Sequence, residues 1–380
     1  MKGFVLLMIS CSCFIFSGCI TEYMAKGINE EQNILVVEGT ITEGESYITL
    51  SRSLNLTDNN PASIIYVNNA LVYIACDDGT SIQADESGST GGASNGLYTI
   101  RTGNLNMERK YRLIIEIEEE DTKSGDCKTF TYSTEYANPI VTPEIDSVFW
   151  TKKDKGQPVI IHVATHDTEN RVLYYRWTYE EEWEIRSDFS SDLYTYPSRC
   201  WSNNGNRDFL LGSGEKTVFG RLTDVITEFS PSNRKLEVLY RITVKQNVIS
   251  KKAYDYYANI KNNDQLTGTI FAPIPSELRG NIICITEHDR PVIGHVDISL
   301  TTQKRLYILP SDSIYEYNAR VWECEQVMQD LLLDLYQGYI PNEYVPYMWS
   351  GTSLYYILGK CIDCTYLNGV TQKPDDWPVD

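Results

Sequence analysis

Residues 235–246, KLEVLYRITVKQ, alternate apolar and polar side chains for longer than any other stretch of this 380-residue chain. Successive side chains of a strand point to opposite faces. The segment therefore predicts a half-buried strand with Leu236, Val238, Tyr240, Ile242 and Val244 on one face and the charged residues on the other. The same period of two recurs towards the N-terminus. ILVVEGTIT (34–42), YITLS (47–51), ALVYIAC (70–76), LYTIR (97–101), KYRLIIEIE (110–118) and CKTFTYST (127–134) are strand candidates. DDGT (77–80) is a hairpin turn, with a return strand at 81–84. Further strands are expected at 147–151, 159–165 and 172–179, and closing strands at 282–286, 292–299 and 303–309.

The period changes at SKKAYDYYANIKNN (250–263), where Ala253, Tyr256, Tyr257 and Ile260 fall at helical spacing behind the N-cap candidate Ser250. NPIVTPEID (138–146) carries two prolines and reads as a linker. The tail from Pro341 is rich in loop signals. The expected fold is mainly β. A first β-sandwich of prealbumin or immunoglobulin type spans 34–137. A linker at 138–146 leads to a second sandwich-like domain at 147–380, with one short helix and a disulfide-stapled tail.

Residues 1–18 read as a signal peptide, because the apolar run 3–16 is shorter than the ~20 residues that span a bilayer. Phe16-Ser17-Gly18-Cys19 is similar to a lipobox, which makes Gly18 the cleavage flank, Cys19 the acylated terminus and 19–33 a polar tether. Export and a lipid anchor in a membrane are therefore expected.

A formal net charge of −19 excludes a general phosphate-backbone binder, so no nucleic-acid partner is expected. It also disfavours electrostatic docking on an anionic bilayer. Four histidines leave little for a His-rich metal centre. No metal, cofactor or catalytic residue is expected. No Ser/His/Asp set comes with a G-x-S-x-G elbow, and GSGEK (212–216) lacks the spacing of a phosphate loop. The acid runs EIEEED (116–121) and EEEWE (180–184) have the composition for glycoside hydrolysis or calcium binding. Both extend strand patterns into turns, where solvated charge is usual.

Seven cysteines remain after the leader and Cys19. Export favours disulfides, and an odd count leaves at least one thiol unpaired within the chain. Cys361-x-x-Cys364 has no second pair for zinc, and Asp363 inside it opposes a reactive thiolate. Cys361 and Cys364 are expected to bond with Cys200 and Cys324, stapling the tail. Cys76 and Cys127 are a further candidate pair, and Cys284 a buried thiol. Aromatic clusters nominate Trp177, Trp183, Tyr254 and Tyr257 as ligand or partner contacts.

LVVEGTIT (35–42), SKKAYDYYANIK (250–261), GTIFAPIPSELRGNI (268–282), PVIGHVDIS (291–299), KRLYI (304–308) and CIDC…G…KPDDW (361–377) occur in this order. The ordered set resembles the Bacteroidetes lipoprotein family called domain of unknown function 4249 (DUF4249), with departures at His295, Val296 and Tyr366. The resemblance implies a lipoprotein of the outer membrane, on its surface or periplasmic face, accessory to a TonB-dependent receptor and acting in nutrient capture without catalysis. The alternative expectation is a carbohydrate- or peptide-binding surface module that uses exposed Tyr and Trp.

Overall fold

The computed structural model describes residues 34–53, 64–86, 95–120, 125–169, 171, 173–206, 209–217, 220–266, 280–309, 312, 314–316 and 324–378. The expected leader 1–18, Cys19 with its flank Gly18, and the tether 19–33 lie outside the described residues.

The chain is mainly β. β1 (Leu35–Thr40), β2 (Gly44–Arg52), β3 (Ile65–Tyr66), β4 (Leu71–Cys76), β5 (Ser81–Glu86), β6 (Leu97–Gly103), β7 (Tyr111–Glu120) and β8 (Cys127–Thr134) follow the alternation in the sequence. The DDGT turn joins β4 to β5, with Gly79 at φ +87°. Strand alternation puts Ile48 and Leu50, Val72 and Ile74, Tyr98 and Ile100, and Phe130 and Tyr132 into one core. Next come β9 (Ile145–Thr151), β10 (Val159–His166), β11 (Tyr174–Arg186), β12 (Arg199–Gly205), β13 (Leu210–Ser213), β14 (Arg221–Phe229) and β15 (Tyr240–Ile249). They form two sheets, β14-β10-β9 and β12-β11-β15. Trp177, Tyr240, Ile242, Val244, Val163 and Ile161 are buried between them.

The strand predicted at 235–246 begins only at Tyr240. Residues 234–236 form a 3-10 turn capped by Asn233, and Leu236 reaches the core from that turn. Tyr240, Ile242 and Val244 are buried as the alternation requires. The opposite face is covered too: Arg241 and Thr243 are also buried.

Beyond the helix Lys251–Leu266 the chain goes back to the first body. β16 (Ile282–Cys284) pairs with β8, and β17 (Val292–Gly294) pairs parallel to β1. The ten-stranded sheet therefore has β16 and β17 at its two ends, which neighbour one another, so it nearly closes on itself. Gly294 sits at φ +149°, and a Cβ there would stand 2.3 Å from the carbonyl oxygen of Val37. Only glycine lets this strand lie against β1. The expected cut at 138–146 thus divides the strands only as far as the helix, because 282–294 belong to the first sheet.

The chain then crosses between the two bodies. Ile298 bridges Ile41 of the first, and Ser299 bridges Ile140 at the entrance to the second, both in parallel. Ser299 Oγ and Thr142 Oγ1 stand 3.1 Å apart, and Thr301 Oγ1 donates to Thr42 Oγ1 at 3.0 Å. β18 (Thr301–Ile308) then completes the second sheet beside β15. The PVIGHVDIS segment is therefore the weld between the two bodies.

The tail read as loop contains a third structure. β19 (Val327–Met328), the helix Gln329–Leu335, β20 (Tyr344–Ser350) and β21 (Ser353–Leu358) build a small sheet in the order β19-β21-β20. Pro346 is tolerated inside β20 because the ladder shifts register between Pro346 and Met348.

Candidate functional site

Three places gather the residue types singled out in the sequence: the helix junction, the acid ladder and the stapled tail. At the junction, Ser250 caps the helix by accepting from the amide of Ala253 at 3.1 Å. Its hydroxyl donates to Asp297 Oδ1 at 3.2 Å, and His295 Nε2 stands 3.3 Å from the same oxygen. The carboxylate therefore lies between serine and histidine, and no imidazole is placed to take the serine proton. Tyr257 OH donates to the carbonyl of His295 at 2.8 Å and accepts from Arg176 Nη1 at 3.2 Å. The arrangement locks the helix onto the weld.

The aromatic candidates mostly face inward. Trp177 is 1% exposed and donates through Nε1 to Gln246 Oε1 at 2.8 Å. Its indole fills the space that a side chain at Gly212 would need, so GSGEK is a packing site for Trp177. Tyr257 is 7% exposed. Trp183 is half-buried under Lys235, whose Nζ lies 4.6 Å from the ring centroid. Tyr254 is half-buried against Tyr174, with ring centroids 5.1 Å apart. As contact residues, Trp177 and Tyr257 are corrected to core, while Trp183 and Tyr254 keep part of their rings at the surface. On β11 the residues Tyr175, Trp177 and Trp183 share the inner face by strand period, and the sequence alone does not say which face is inner.

In the EEEWE run each acid has its own cation. Glu180 pairs with Lys245, Glu181 with Lys235, Glu182 with Arg241, and Glu184 with Arg186 and Arg199. Glu181 also accepts from Tyr240 OH at 2.9 Å and from Asn204 at 3.1 Å. Burial, followed by the Glu181 carboxylate, holds the Tyr240 phenol well above its ordinary pKa, which keeps it a donor. In the other run, Glu119 is shared by Arg52 and Arg290. The EEEWE carboxylates, each held by its own cation, form a set of ion pairs between β11 and the residues packed around it. No group of three His, Cys, Asp or Glu able to hold a metal occurs among the described residues.

The tail disulfides form as expected. Cys200 bonds Cys364 and Cys324 bonds Cys361, with Cα–Cα distances of 5.7 and 5.8 Å. Cys76 and Cys127 are not bonded to one another: Cys76 is a buried free thiol and Cys127 an exposed one. Cys76 pairs with Tyr111 at the start of β7, and Cys127 with Glu120 at its end. That strand holds them about 30 Å apart, far beyond disulfide reach. Cys284 is a buried free thiol, as expected.

The two bonds define a lobe. Cys324–Cys361 closes the loop that carries the small sheet, and Cys200–Cys364 fastens its exit to β12. A Cβ at Gly369 would stand 2.6 Å from the Cβ of Cys200, so glycine is required beside the bond. Val370 and Trp201 then exchange backbone hydrogen bonds at 2.8 Å. Finally KPDDW latches onto the second sheet. Asp376 Oδ1 accepts from Arg241 Nη2, and Oδ2 from Arg305 Nη1, each at 2.7 Å. Trp377 is buried with Trp201 and Leu239, and Arg241 lies over its ring at 5.0 Å. This is why the polar face of β15 is not open to water.

Inside the lobe, Val345, Ile357, Cys361 and Ile362 pack with Phe189, Tyr196 and Tyr347. Its outside is unusually apolar. Met328, Leu331, Leu335, Tyr339 and Trp349 are between 41% and 64% exposed. The sequence reading missed them because the helix Gln329–Leu335 is short and its apolar side chains point both ways, with Leu332 inward and Leu331 and Leu335 outward.

The sequence model of domain of unknown function 4249 matches residues 20–305. The chain belongs to the DUF4249 family. The matched range includes both sheet bodies, the helix and the weld, and it ends ahead of the lobe in this DUF4249 chain. A search of curated proteins returns no match. Among solved structures, the chain is similar to a DUF4785 family protein from Legionella pneumophila subsp. pneumophila str. Philadelphia 1, at 11% identity and a TM-score of 0.20. The alignment covers 56% of this chain and 52% of that one, so the DUF4249 chain spans about half the length of the structure it matches. A similarity of that size carries no argument about function. Among the described residues, no helix is long and apolar enough to cross a membrane.

Proposed function

We propose that this DUF4249 protein is an outer-membrane lipoprotein, anchored by lipid at Cys19, that assists a TonB-dependent receptor in nutrient capture without itself catalysing a reaction. The observation that carries this reading is the lobe: a covalently closed element, fixed to a welded two-body frame, that exposes apolar side chains to solvent. Exposed apolar surface on a monomer marks recognition of another macromolecule more often than chemistry. The small-small-Cys triplet at 17–19 supports the anchor. Lipid would confine the protein to the membrane plane and raise its effective concentration near a membrane partner.

The test is purification of the lipidated protein from its native membrane in mild detergent. A β-barrel protein should co-purify in fixed stoichiometry. Recovery of the lipoprotein alone, with its lipid intact, would contradict the reading.

A second reading, capture of a glycan or peptide, is favoured by the exposed rings of Tyr194, Tyr339 and Trp349. It predicts glycan-array or peptide-array signal from soluble protein lacking the anchor, lost on Trp349→Ala.

A further inference from the structure

Met328, Leu331, Leu335 and Tyr339 recur at intervals of three, four and four residues. Within the helix Leu331 and Leu335 share one face, Met328 ends β19 just ahead of it, and Tyr339 lies past the turn made by Gln337 and Gly338 at φ +55° and +93°. Residues 329–335 are helical, Met328 is the residue capping their start, and Tyr339 follows their end with its ring 6.0 Å from that of Tyr336. All four side chains are exposed. A lone exposed leucine needs no explanation, whereas an apolar set on a covalently closed lobe does. The helix already has an inward face, because Leu332 is buried, so the outward set is not needed to hold the lobe together.

Charge narrows what fits there. Asp330 and Asp334 lie one residue ahead of Leu331 and Leu335. Neither forms an ion pair among the described residues. Between Arg320 and Lys360 the sequence contains five acids and no lysine or arginine. A second copy docked face to face would set Asp330 and Asp334 against their own symmetry mates. An anionic bilayer would be repelled by the same carboxylates. An apolar groove edged with cations would satisfy the apolar set and the acids at once.

We infer that the exposed apolar set on and around this helix, Met328, Leu331, Leu335 and Tyr339, flanked by Asp330 and Asp334, is the docking face for another protein that offers an apolar groove rimmed by lysine or arginine side chains. The inference rests on the reading that this chain works by recognising a macromolecule, but not on that macromolecule being a barrel. Closure of the lobe by Cys324–Cys361 fixes this set before binding, which reduces the ordering cost of association. The apolar side chains supply the anchors, and the carboxylates set register and association rate.

The test uses the full-length lipidated protein in its native cells, with a benzophenone amino acid placed at Leu335 or, as control, at exposed Tyr47 of the first body. Irradiation should give one discrete protein adduct from position 335 and none from 47. Mapping of the adduct should find apolar residues flanked by Lys or Arg in the partner peptide. L331D should cut the yield about tenfold, the loss of one buried anchor. The double variant D330K/D334K should cut it several-fold, while non-reducing mass mapping still finds both disulfides. The inference fails if position 335 gives no adduct, the same adducts as position 47, a second copy of this chain, a segment of its own chain, or lipid. It also fails if charge reversal leaves the yield unchanged. A barrel that co-purifies regardless of L331D would remove the docking face and leave the proposed function standing. An adduct with a protein that is not a barrel would do the reverse.

Discussion

The ten-stranded body buries Tyr98, Ile115, Phe130 and Tyr132 in one continuous core and holds no disulfide, although Cys76 and Cys284 lie inside it. The lobe from Cys324 to Cys361 buries only a handful of side chains, borrows Phe189 and Tyr196 from a loop of the second body, and is bound by two disulfides. A small module exposes too much surface for its core to offset chain entropy, so covalent closure takes over part of that role. The body owes its shape to strand period and the lobe to staples. The two should therefore fail under different insults.

The largest separation between them is expected from the bond with the longest loop. Cys364→Ser opens Cys200–Cys364, which spans 164 residues. In the chain-entropy account that costs about 5 kcal/mol, and Cys361→Ser, which opens a span of 37 residues, about 4 kcal/mol. Hydrogen exchange should show 327–358 losing protection in both variants while β4 and β7 keep theirs. Equal protection of the lobe with and without its bonds would end the comparison.

Ile115→Ala should do the opposite. Ile115 is fully buried, and truncation should cost about 2–5 kcal/mol of the body's stability by denaturant titration. The lobe bonds should still form.

The latch sharpens the comparison at smaller scale. Asp376→Asn removes a half-exposed carboxylate from Arg241 and Arg305, and should cost about 1 kcal/mol. Arg241 and Arg305 together hold the Asp376 carboxyl below the usual carboxylate range. A depressed folded pKa means that the contribution is complete above the unfolded value near 4. It is then lost as pH falls through the folded value. Tail protection should therefore be flat from about pH 5 to 8 and fall below about pH 4 in the wild type, with the latch's share of that fall absent from Asp376→Asn.

The smallest effect on stability is expected on the outer apolar set. Leu335→Asp should stay within about 0.5 kcal/mol of wild type by thermal melting. A large loss there would mean that the set is structural.

How much of this was legible in the sequence follows the same division. Strands Leu71–Cys76, Leu97–Gly103, Tyr111–Glu120 and Cys127–Thr134 were readable because one buried face imposes alternation. Ser250 was readable as a cap because only a local hydrogen bond decides it. Return of 282–294 to the first sheet was not, since strand pairing at that separation leaves no local trace. The inward turn of Trp177 was not legible, because both faces of β11 carry aromatics and only tertiary packing decides which turns inward. Cys76 and Cys127 were paired on proximity to strand ends, without the register that puts them at opposite ends of β7. The lobe escaped notice because Pro346 breaks the strand pattern and the helix beside it has only seven residues. Cys324, Cys361 and Cys364, with Cys200 of β12 as partner, were its legible sign.

Intact-mass and peptide mapping of the mature protein from its native membrane tests most directly whether the lobe is a stapled element of an exported protein. The expected result is a lipid-modified N-terminal cysteine at position 19, bonds Cys200–Cys364 and Cys324–Cys361, and free thiols at Cys76, Cys127 and Cys284. An unprocessed N-terminus with all of these cysteines reduced would contradict it.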